Sequence, residues 1–184
     1  MHKNMLVVVD YQNDFVDGAL GFPGAEKLDR AIAEKIRHAE QNGTTVVVTM
    51  DTHGENYLDT REGQRLPVPH CIEGSRGWEL FGETGEVLGR VGHVTLCKAT
   101  FGAAPLDLAK LPEGVEEIEL VGLVSNMCLI SNVCCFQATY PQAQITVDMN
   151  LCDSFDKDLH KKTAAVLRGM QVDVLHAPWL DGGE

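Results

Sequence analysis

The 184-residue chain contains 44% hydrophobic and 23% charged residues, a globular composition that excludes the disordered and fibrous classes. Its 27 acidic and 15 basic side chains give a net charge of −12, so we expect no nucleic-acid partner, because the surface would repel phosphates. No run approaches the ~18 apolar residues of a membrane helix, and no signal peptide precedes the first strand. We therefore expect a cytoplasmic protein without a membrane partner.

The first three elements predict the beginning of an alternating α/β chain. Residues 5–9 are a β-branched apolar run that ends at Asp10. Apolar side chains then recur at helical spacing over 25–41, which predicts a helix that packs on a sheet. Residues 44–50 form a second apolar strand, which also ends at an aspartate, Asp51.

A long polar segment separates the second predicted strand from the third. Residues 52–90 are rich in glycine and contain His53 and His70. Segments of this length without clear periodicity are usually functional loops or small subdomains, so we expect this one to contribute to a binding site. The third strand is predicted at 91–97 and ends at Lys98.

The second half of the chain continues the alternation. A short helix is predicted around 105–110, and the apolar run 119–121 meets Gly122 and then small and polar residues. This pattern predicts a strand, a tight turn and a helix that has Cys128 in its first turn. The remaining elements are predicted as a strand at 144–147, a helix at 156–169, a strand at 172–175 and a tail at 177–184.

The alternation of strands and helices predicts the α/β fold class, in a single domain that spans residues 1–184. Strands that are apolar on both faces belong in a sheet that helices cover on both sides. We therefore expect three layers, α/β/α, around a mostly parallel six-stranded sheet. In such sheets, ligands bind outside the carboxyl ends of the strands.

Four chemically useful side chains fall at or just beyond those strand ends: Asp10, Asp51, Lys98 and Cys128. Strand-end aspartates are common turn formers, and a free cysteine is more often a packed apolar residue than a nucleophile. Four such residues on one edge are less easily explained in this way, so we expect a shared active site. A thiol at a helix N-terminus also has a lowered pKa, which favours the nucleophilic thiolate.

The sequence lacks the glycine-rich motifs of dinucleotide and nucleotide-phosphate sites and the G-x-S-x-G motif of serine hydrolases. The residues that remain suit covalent acyl transfer. Cys128 would attack a carbonyl, Asp10 would pass the thiol proton to a leaving amine, and Lys98 would hold Asp10 in place. Backbone N–H groups at the start of the Cys128 helix would stabilise the oxyanion.

Three stretches of the sequence carry a resemblance to known enzymes. They are Val-Val-Asp10-Tyr-Gln-Asn-Asp-Phe, Cys-Lys98-Ala-Thr-Phe-Gly-Ala and Gly-Leu-Val-Ser-Asn-Met-Cys128. In this order they resemble the isochorismatase-like cysteine hydrolases, which include the nicotinamidases, over about residues 4–176. The resemblance implies a catalytic triad of Asp10, Lys98 and Cys128. It also implies a cis peptide bond at Leu123–Val124 that directs the Val124 and Cys128 N–H groups at the oxyanion.

Asp51-Thr52-His53 and the later His70 resemble the metal site of the nicotinamidases. The resemblance implies one divalent ion held by Asp51, His53 and His70, and Glu62 lies where some members add a fourth ligand. One carboxylate and two imidazoles suit zinc, our first choice, with iron and manganese as alternatives. Alternatively, His53 and His70 are loop histidines that make ordinary hydrogen bonds.

The predicted substrate is a small amide, which would be cleaved to an acid and ammonia through a thioester on Cys128. In nicotinamidases a tryptophan usually precedes the second histidine by three residues and stacks on the pyridine ring. Pro67 occupies that position here, so the identity of the amide stays open. Phe15 and Tyr57 are the predicted aromatic residues of the substrate pocket.

Two other functions are compatible with the sequence. One is a metal-free hydrolase of the same superfamily that acts on a carbamoyl compound or an isochorismate-like ether. The other is a non-catalytic binding or thiol-redox protein that uses Cys71 or the pair Cys134 and Cys135. The apolar neighbours Val133 and Phe136 favour a core position for that pair.

The six cysteines include no C-x-x-C pair, and in the reducing cytoplasm we expect them to be free thiols. The resemblance implies a homo-oligomer, and residues 175–180 contain more apolar side chains than a solvated tail should. The alternative for this end is that Trp179 folds back on its own subunit.

Overall fold

The computed structural model describes residues 3–182. Its strands are β1 (Asn4–Val9), β2 (Thr45–Asp51), β3 (Val94–Lys98), β4 (Glu117–Gly122), β5 (Gln144–Cys152) and β6 (Asp173–Leu175). They form a six-stranded sheet in the order β3-β2-β1-β4-β5-β6, and all five pairings are parallel. The predicted α/β class and six-stranded sheet are confirmed, and the sheet is wholly rather than mostly parallel.

Helices cover both faces of the sheet. The helices are α1 (Asn13–Val16), α2 (Asp29–Gln41), α3 (Gly82–Leu88), α4 (Pro105–Leu108), α5 (Ile130–Thr139) and α6 (Lys157–Gly169). Residues of α2 and α3 share one apolar cluster with Leu6 and Val8 of β1. Residues of α5 and α6 share the other with Val7 and Val9. Alternate side chains of β1 thus enter two cores, which gives the three predicted layers.

Within the part of the chain that the structure describes, none of the helices has the length and apolar character needed to cross a membrane.

Strand β1 lies at the centre of the sheet, with β2 and β3 on one side and β4, β5 and β6 on the other. The crevice between β1 and β4 is therefore a topological switch point, where α/β sheets bind ligands. Val9 pairs with Gly122 at this point, and a Cβ on Gly122 would lie 2.2 Å from the Val9 carbonyl oxygen. Gly122 also has a φ of 116°, which favours glycine. The glycine allows β4 to approach β1 directly before the turn that carries Cys128.

Helix α3 lies inside the segment 52–90, for which the sequence predicted no regular element. The Glu83 and Thr84 N–H groups each donate to the Asp29 carboxylate at 2.8 Å. This cap comes from a residue far away in the sequence, and the glycines of α3 disfavour a helix locally. The segment also contains two single-turn 3₁₀ helices, Tyr57–Asp59 and Arg76–Trp78. Tertiary contacts rather than local pattern therefore determine the structure of this segment.

Strand β5 continues to Cys152 instead of ending at 147. The charged residue Asp148 interrupts the apolar run, so the longer strand was hard to predict. Its side chain has two partners in the structure. Its carboxylate lies 3.7 Å from Lys35 Nζ and 2.7 Å from His176 Nδ1. Because Lys35 and His176 contact this buried carboxylate, the strand continues through it.

The predicted tail 177–184 is not simply extended chain, since it contains a 3₁₀ helix at Pro178–Asp181. Residues 183–184 lie outside the described part. The Trp179 ring packs 5.7 Å from the His160 ring and against the core shared by α5 and α6. Trp179 therefore folds back on its own subunit, and the homo-oligomer stays a prediction. The single domain over 1–184 also stays a prediction.

Candidate active site

Four strand ends bring the predicted polar residues together. Asp10 follows β1, Asp51 and Lys98 end β2 and β3, and Cys128 follows β4. All four side chains are buried, and the strand register pairs Asp51 with Lys98. The structure thus brings these residues to one edge of the sheet, as their positions after apolar runs predicted.

Lys98 lies at the centre of this group. Its ammonium nitrogen is 2.6 Å from Asp10 Oδ2, 3.2 Å from Asp51 Oδ1 and 3.7 Å from Cys128 Sγ. Burial alone would lower the pKa of Lys98, but the charges of Asp10, Cys128 and Asp51 raise it well above its usual value. Lys98 is therefore a fixed cation that touches both the nucleophile and the two carboxylates.

The proton of the Cys128 thiol has a nearby acceptor. Thr49 Oγ1 donates to Asp10 Oδ1 at 2.6 Å and orients the carboxylate. Lys98 lies close to Oδ2, but its direction is unsuitable for a hydrogen bond, so Oδ2 has no aligned donor among the described residues. Asp10 Oδ2 is thus free to accept a proton.

Burial changes the acidity of both partners. It raises the pKa of the Asp10 carboxyl even though Lys98 opposes the shift. Burial, reinforced by the charge of Asp10, raises the pKa of the Cys128 thiol well above its usual range. The sequence-based expectation of a lowered thiol pKa is therefore wrong for this site, because desolvation outweighs the helix dipole. The raised pKa favours the thiol form of Cys128.

The turn before Cys128 exposes backbone N–H groups. The Leu123–Val124 peptide bond is cis, as the resemblance implied. A π-helical turn, Ser125–Leu129, contains Cys128 and leads into α5. Met127 and Leu129 both donate to the Val124 carbonyl, whereas the Val124 N–H donates to no acceptor among the described residues. Within the described part of the chain, the Val124 N–H is therefore free of a backbone acceptor beside the turn that contains Cys128.

Asp51, His53, Glu62 and His70 form a second group beside Lys98. Asp51 Oδ2 lies 3.0 Å from His53 Nε2 and 3.3 Å from His70 Nε2, and Glu62 Oε1 lies 3.8 Å from both nitrogens. All four ligand atoms fall within 4.8 Å of one another. Ligands at ~2.1 Å around a tetrahedral ion are ~3.4 Å apart, so these residues fit one divalent ion.

Two features of this group suit a cation. Burial opposes ionisation of Asp51, but the neighbouring imidazoles of His53 and His70 and the charge of Lys98 lower its pKa below the usual range. The His70 Nδ1–H donates to the Val68 carbonyl at 2.8 Å, which leaves Nε2 as a lone-pair ligand. The group therefore offers an ionised carboxylate and an oriented imidazole.

The loop after Asp10 holds the second group in place. The Gln12 side chain accepts from the Asp51 N–H at 2.8 Å and donates to the Asp51 carbonyl at 2.9 Å. Asp14 Oδ2 accepts from the N–H of Cys71, the residue after His70, at 2.7 Å. The loop after Asp10 and the first turn of α1 thus support two of the candidate metal ligands.

A cavity of about 360 Å³ opens onto Cys128 and the second group. Its apolar lining is Phe15, Leu20, Leu66, Phe101, Val124, Met127 and Phe155. None of the described residues that line it is a lysine or an arginine. A larger groove, of about 740 Å³, lies beside Lys35 and Glu119 at the opposite ends of the strands and contains none of the catalytic candidates.

Of the two aromatic residues predicted for the pocket, the structure places only one there. Phe15 lines the cavity, and its ring lies 5.6 Å from the His70 ring. Tyr57 is fully buried behind the histidines, 4.7 Å from the His53 ring, and its hydroxyl donates to the Leu66 carbonyl. Tyr57 is therefore corrected from a substrate contact to a support for the histidines, because that hydrogen bond turns it away from the cavity.

Several residues that shape the site were not predicted. Gln12 lies inside the first quoted motif, so its position beside Asp10 was an available signal. Asn132 follows Cys128 by one helical turn and donates to the Cys128 carbonyl at 2.8 Å and the Phe101 carbonyl at 3.1 Å. Phe101 lies inside the second quoted motif, which was an available signal, whereas Phe155 had none, because only the fold brings its loop to the cavity.

The remaining cysteines lie outside the catalytic group. Cys71 is buried, and burial raises its pKa far above the usual range. Cys134 is exposed and Cys135 half-buried on α5, and neither lines the cavity. All six cysteines are unpaired, as expected.

Sequence comparisons give relatives over most of the chain. A profile of the isochorismatase domain matches residues 4–178. PncA of Bacillus subtilis strain 168, described as an uncharacterized isochorismatase family protein, is 28% identical over 169 residues, which are 86% of this chain and 90% of that protein. The nicotinamidase/pyrazinamidase of Mycobacterium tuberculosis is 28% identical over 137 residues, which are 67% of this chain and 73% of that protein.

Solved structures show the same fold. The crystal structure of nicotinamidase/pyrazinamidase PncA from Bacillus subtilis has a TM-score of 0.82 and 26% identity, covering 95% of this chain and all of that one (100%). The pyrazinamidase of Pyrococcus horikoshii in complex with zinc has a TM-score of 0.79 and 21% identity, covering 94% and 98% of the two chains. With the profile match across nearly its whole length, the chain belongs to the isochorismatase family.

Proposed function

We propose that this protein hydrolyses a small primary amide to a carboxylic acid and ammonia through a thioester on Cys128. The observation that carries the proposal is the Lys98 ammonium, which lies 2.6 Å from Asp10 and 3.7 Å from Cys128, the residue of this group that lines the cavity. A buried nucleophile beside a proton acceptor and free N–H groups suits acyl transfer. The relatives named nicotinamidase support the same reaction.

The first half of the reaction forms the acyl-enzyme. As Cys128 Sγ bonds to the amide carbonyl carbon, its proton moves to Asp10 Oδ2. The carbonyl oxygen takes the negative charge and accepts from the Val124 and Cys128 N–H groups. The C–N bond then breaks, the nitrogen takes the proton from Asp10, and ammonia leaves. Lys98 stays protonated and stabilises the negative charge on Sγ and Asp10.

The second half releases the acid. Asp10 takes a proton from water as the oxygen attacks the thioester carbon. The carbon–sulfur bond breaks, and the sulfur recovers the proton from Asp10. The enzyme returns to its starting state, so no other reactant is needed.

Asp51, His53 and His70, with Glu62 as a further ligand, would hold one divalent ion in this proposal. Zinc is the first choice, with iron and manganese as alternatives, because imidazole and carboxylate ligands suit all three. Such an ion, when bound, supplies a Lewis acid that acidifies water and binds a polar substrate atom. The solved pyrazinamidase that is in complex with zinc supports this choice.

The alternative substrates from the same superfamily fit the cavity less well. Isochorismate-like ethers and many carbamoyl compounds carry carboxylates, which bind best to cationic side chains. The described lining offers neither lysine nor arginine, and the Lys98 ammonium already contacts Asp10 and Asp51. An uncharged amide is therefore the favoured substrate.

The proposal includes a reducing compartment, the cytoplasm, because the mechanism needs Cys128 as a free thiol. It also includes a homo-oligomer, supported by exposed apolar side chains at Leu159, Val166 and Leu175. Sedimentation at micromolar concentration should give a species heavier than the 20.1 kDa chain. A monomer in that experiment would remove the oligomer from the proposal.

Ammonia release from a panel of amides that includes nicotinamide and pyrazinamide tests the reaction. We expect release by the wild type and none above background by Cys128→Ala. Hydroxylamine should divert the acyl group to a hydroxamate, because it attacks the thioester. Equal ammonia release by the wild type and Cys128→Ala would refute the mechanism.

Labelling with iodoacetamide separates the hydrolase from the thiol-redox alternative. In a hydrolase, a bound apolar amide should protect Cys128 and no other cysteine. A redox protein would instead show its fastest labelling at Cys134 or Cys135, unaffected by amides.

A further inference from the structure

Two exposed aromatic side chains stand at the cavity and have no role in the proposed chemistry. Phe155 is 58% exposed and Phe101 is 37% exposed, yet both line the cavity. They come from loops on opposite sides of β1, after β5 and β3. We name these two side chains the aromatic rim. Isolated surface aromatics are common, but two that line one apolar cavity form a contact surface for a ligand.

The Phe101 half of the aromatic rim is held to the helix that carries the nucleophile. The Phe101 carbonyl accepts from Asn132 Nδ2, which also donates to the Cys128 carbonyl. The Ala103 N–H donates back to Asn132 Oδ1 at 3.0 Å, and Asn132 is fully buried. Phe101 therefore has a fixed position relative to Cys128.

The Phe155 half is held by its neighbours. Its ring lies 6.3 Å from the Phe22 ring in an edge-to-face arrangement. The preceding Ser154 is buried, and its hydroxyl donates to Asn126 Oδ1 at 2.6 Å and accepts from the Asp156 N–H at 3.1 Å. Phe155 is thus exposed, and its backbone and ring have neighbours that hold them at the cavity.

The cavity has room for more than one ring. Its volume of about 360 Å³ falls in the range of roughly 300–1,000 Å³ that accommodates drug-sized ligands. Pro67 does not line it, so no ring from the position of the stacking tryptophan divides the space. The described lining contains neither lysine nor arginine, so an anionic substituent on the apolar part would meet no cationic side chain there.

We propose that the substrates are uncharged primary amides whose apolar part exceeds a single six-membered ring and extends to the aromatic rim, with Phe101 and Phe155 as the specificity-determining residues. This inference rests on the proposed amide hydrolysis and adds the substrate class. The amide group lies at Cys128, Phe15 contacts the inner part of the apolar group, and the aromatic rim contacts its outer part.

A comparison of 2-naphthamide, benzamide and 4-carbamoylbenzoate tests the inference. We expect kcat/KM to be about tenfold higher for 2-naphthamide than for benzamide, since the second ring adds several buried carbons. The anionic 4-carbamoylbenzoate should react more slowly than benzamide. Equal values for the two neutral amides, or faster turnover of the anion, would overturn the inference.

Substitutions of Phe101 and Phe155 test whether the aromatic rim causes the preference for the larger amide. Phe101→Ala and Phe155→Ala should each lower the ratio of 2-naphthamide to benzamide turnover several-fold. Leu106→Ala removes a more exposed apolar side chain that does not line the cavity, so it should leave the ratio unchanged. An unchanged ratio in both phenylalanine variants, with native thermal unfolding, would overturn the role of the rim.

Binding of the two neutral amides to the Cys128→Ala variant distinguishes a failure of this inference from a failure of the proposed function. If no amide is hydrolysed, calorimetry of 2-naphthamide and benzamide still measures the ligand class. Tighter binding of 2-naphthamide that is lost in Cys128→Ala/Phe155→Ala would support the rim while the hydrolysis fails. Equal affinities for the two amides would refute the rim whatever the enzyme hydrolyses.

Discussion

At the scale of single residues, Lys98 couples the two groups of the site. Its ammonium contacts Asp10 and Cys128 of the proposed triad and Asp51 of the proposed metal-ligand group. A buried cation between two carboxylates keeps both ionised more easily than either would be alone. The acidity of the nucleophile and the charge of the metal-ligand group are therefore linked through one side chain.

Replacement of Asp10 by asparagine tests the proton acceptor. The substitution keeps the size of the side chain but removes the carboxylate that takes the thiol proton, so kcat/KM should fall by about 10²–10⁴-fold. Asp158→Asn, at an exposed position on α6, is the matched control and should keep wild-type activity. Wild-type activity in Asp10→Asn would show that another group accepts the proton.

The pH dependence should reflect the raised pKa of Asp10. Activity needs the Asp10 carboxylate, and burial raises its pKa, so protonation begins at a higher pH than for an ordinary aspartate, whose pKa is about 3.9. As pH falls, kcat/KM should therefore decline with a midpoint above that value. A profile that stays flat down to pH 4 would contradict an acceptor of raised pKa.

At the scale of elements, the loop after β1 and the first turn of α1 connect the proposed triad to the proposed metal-ligand group. Gln12 binds both backbone groups of Asp51, and Asp14 binds the N–H after His70. Residues that orient metal ligands commonly affect metal affinity by 10–100-fold. The loop is therefore a positioning element for ligands that lie on β2 and on a distant loop.

The Gln12→Ala variant tests this role. It should weaken zinc binding by about 10–100-fold, measured by competition with a chromogenic chelator, and change the visible spectrum of the cobalt-loaded protein. Gln41→Ala, at the exposed end of α2, should bind zinc as the wild type does. Unchanged affinity and spectrum in Gln12→Ala would limit Gln12 to a structural role.

The contact between β1 and β4 depends on Gly122. Gly122→Ala would place a methyl group 2.2 Å from the Val9 carbonyl oxygen at a φ of 116°, so the free energy of unfolding should fall by more than about 2 kcal/mol. Gly169→Ala, whose Cβ meets no atom within 4 Å, is the matched control. Urea unfolding compares the two, and equal midpoints would refute the close approach.

The strand ends could be predicted from sequence because buried parallel strands are continuous apolar runs that stop at polar residues. Asp10, Asp51 and Lys98 follow such runs, and the family motifs specified Cys128. Helix α3 could not be predicted, since its cap is Asp29 from α2. The position of Tyr57 behind the histidines also depends on a loop-to-loop hydrogen bond to Leu66, which no periodicity reveals.

At the scale of the whole molecule, the site is assembled from both halves of the sheet. The ends of β1, β2 and β3 place Asp10, Asp51 and Lys98, and the segment after β2 adds the other three candidate metal ligands. The turn after β4 places Cys128 and the Val124 N–H, which is unbonded within the described residues. The cavity is likewise lined from both sides, by Phe101 and Phe155. The parallel sheet therefore acts as a rigid frame, and the chemistry depends on the crevice at its switch point.

The most direct test of this account is the mass of the intact protein after a rapid acid quench during turnover of a primary amide. We predict a species heavier by the acyl group of the substrate, with the added mass on the peptide that contains Cys128. The adduct should be absent from Cys128→Ala and should disappear when the substrate is exhausted. Turnover without an adduct, together with ammonia release by Cys128→Ala at the wild-type rate, would contradict covalent catalysis by Cys128.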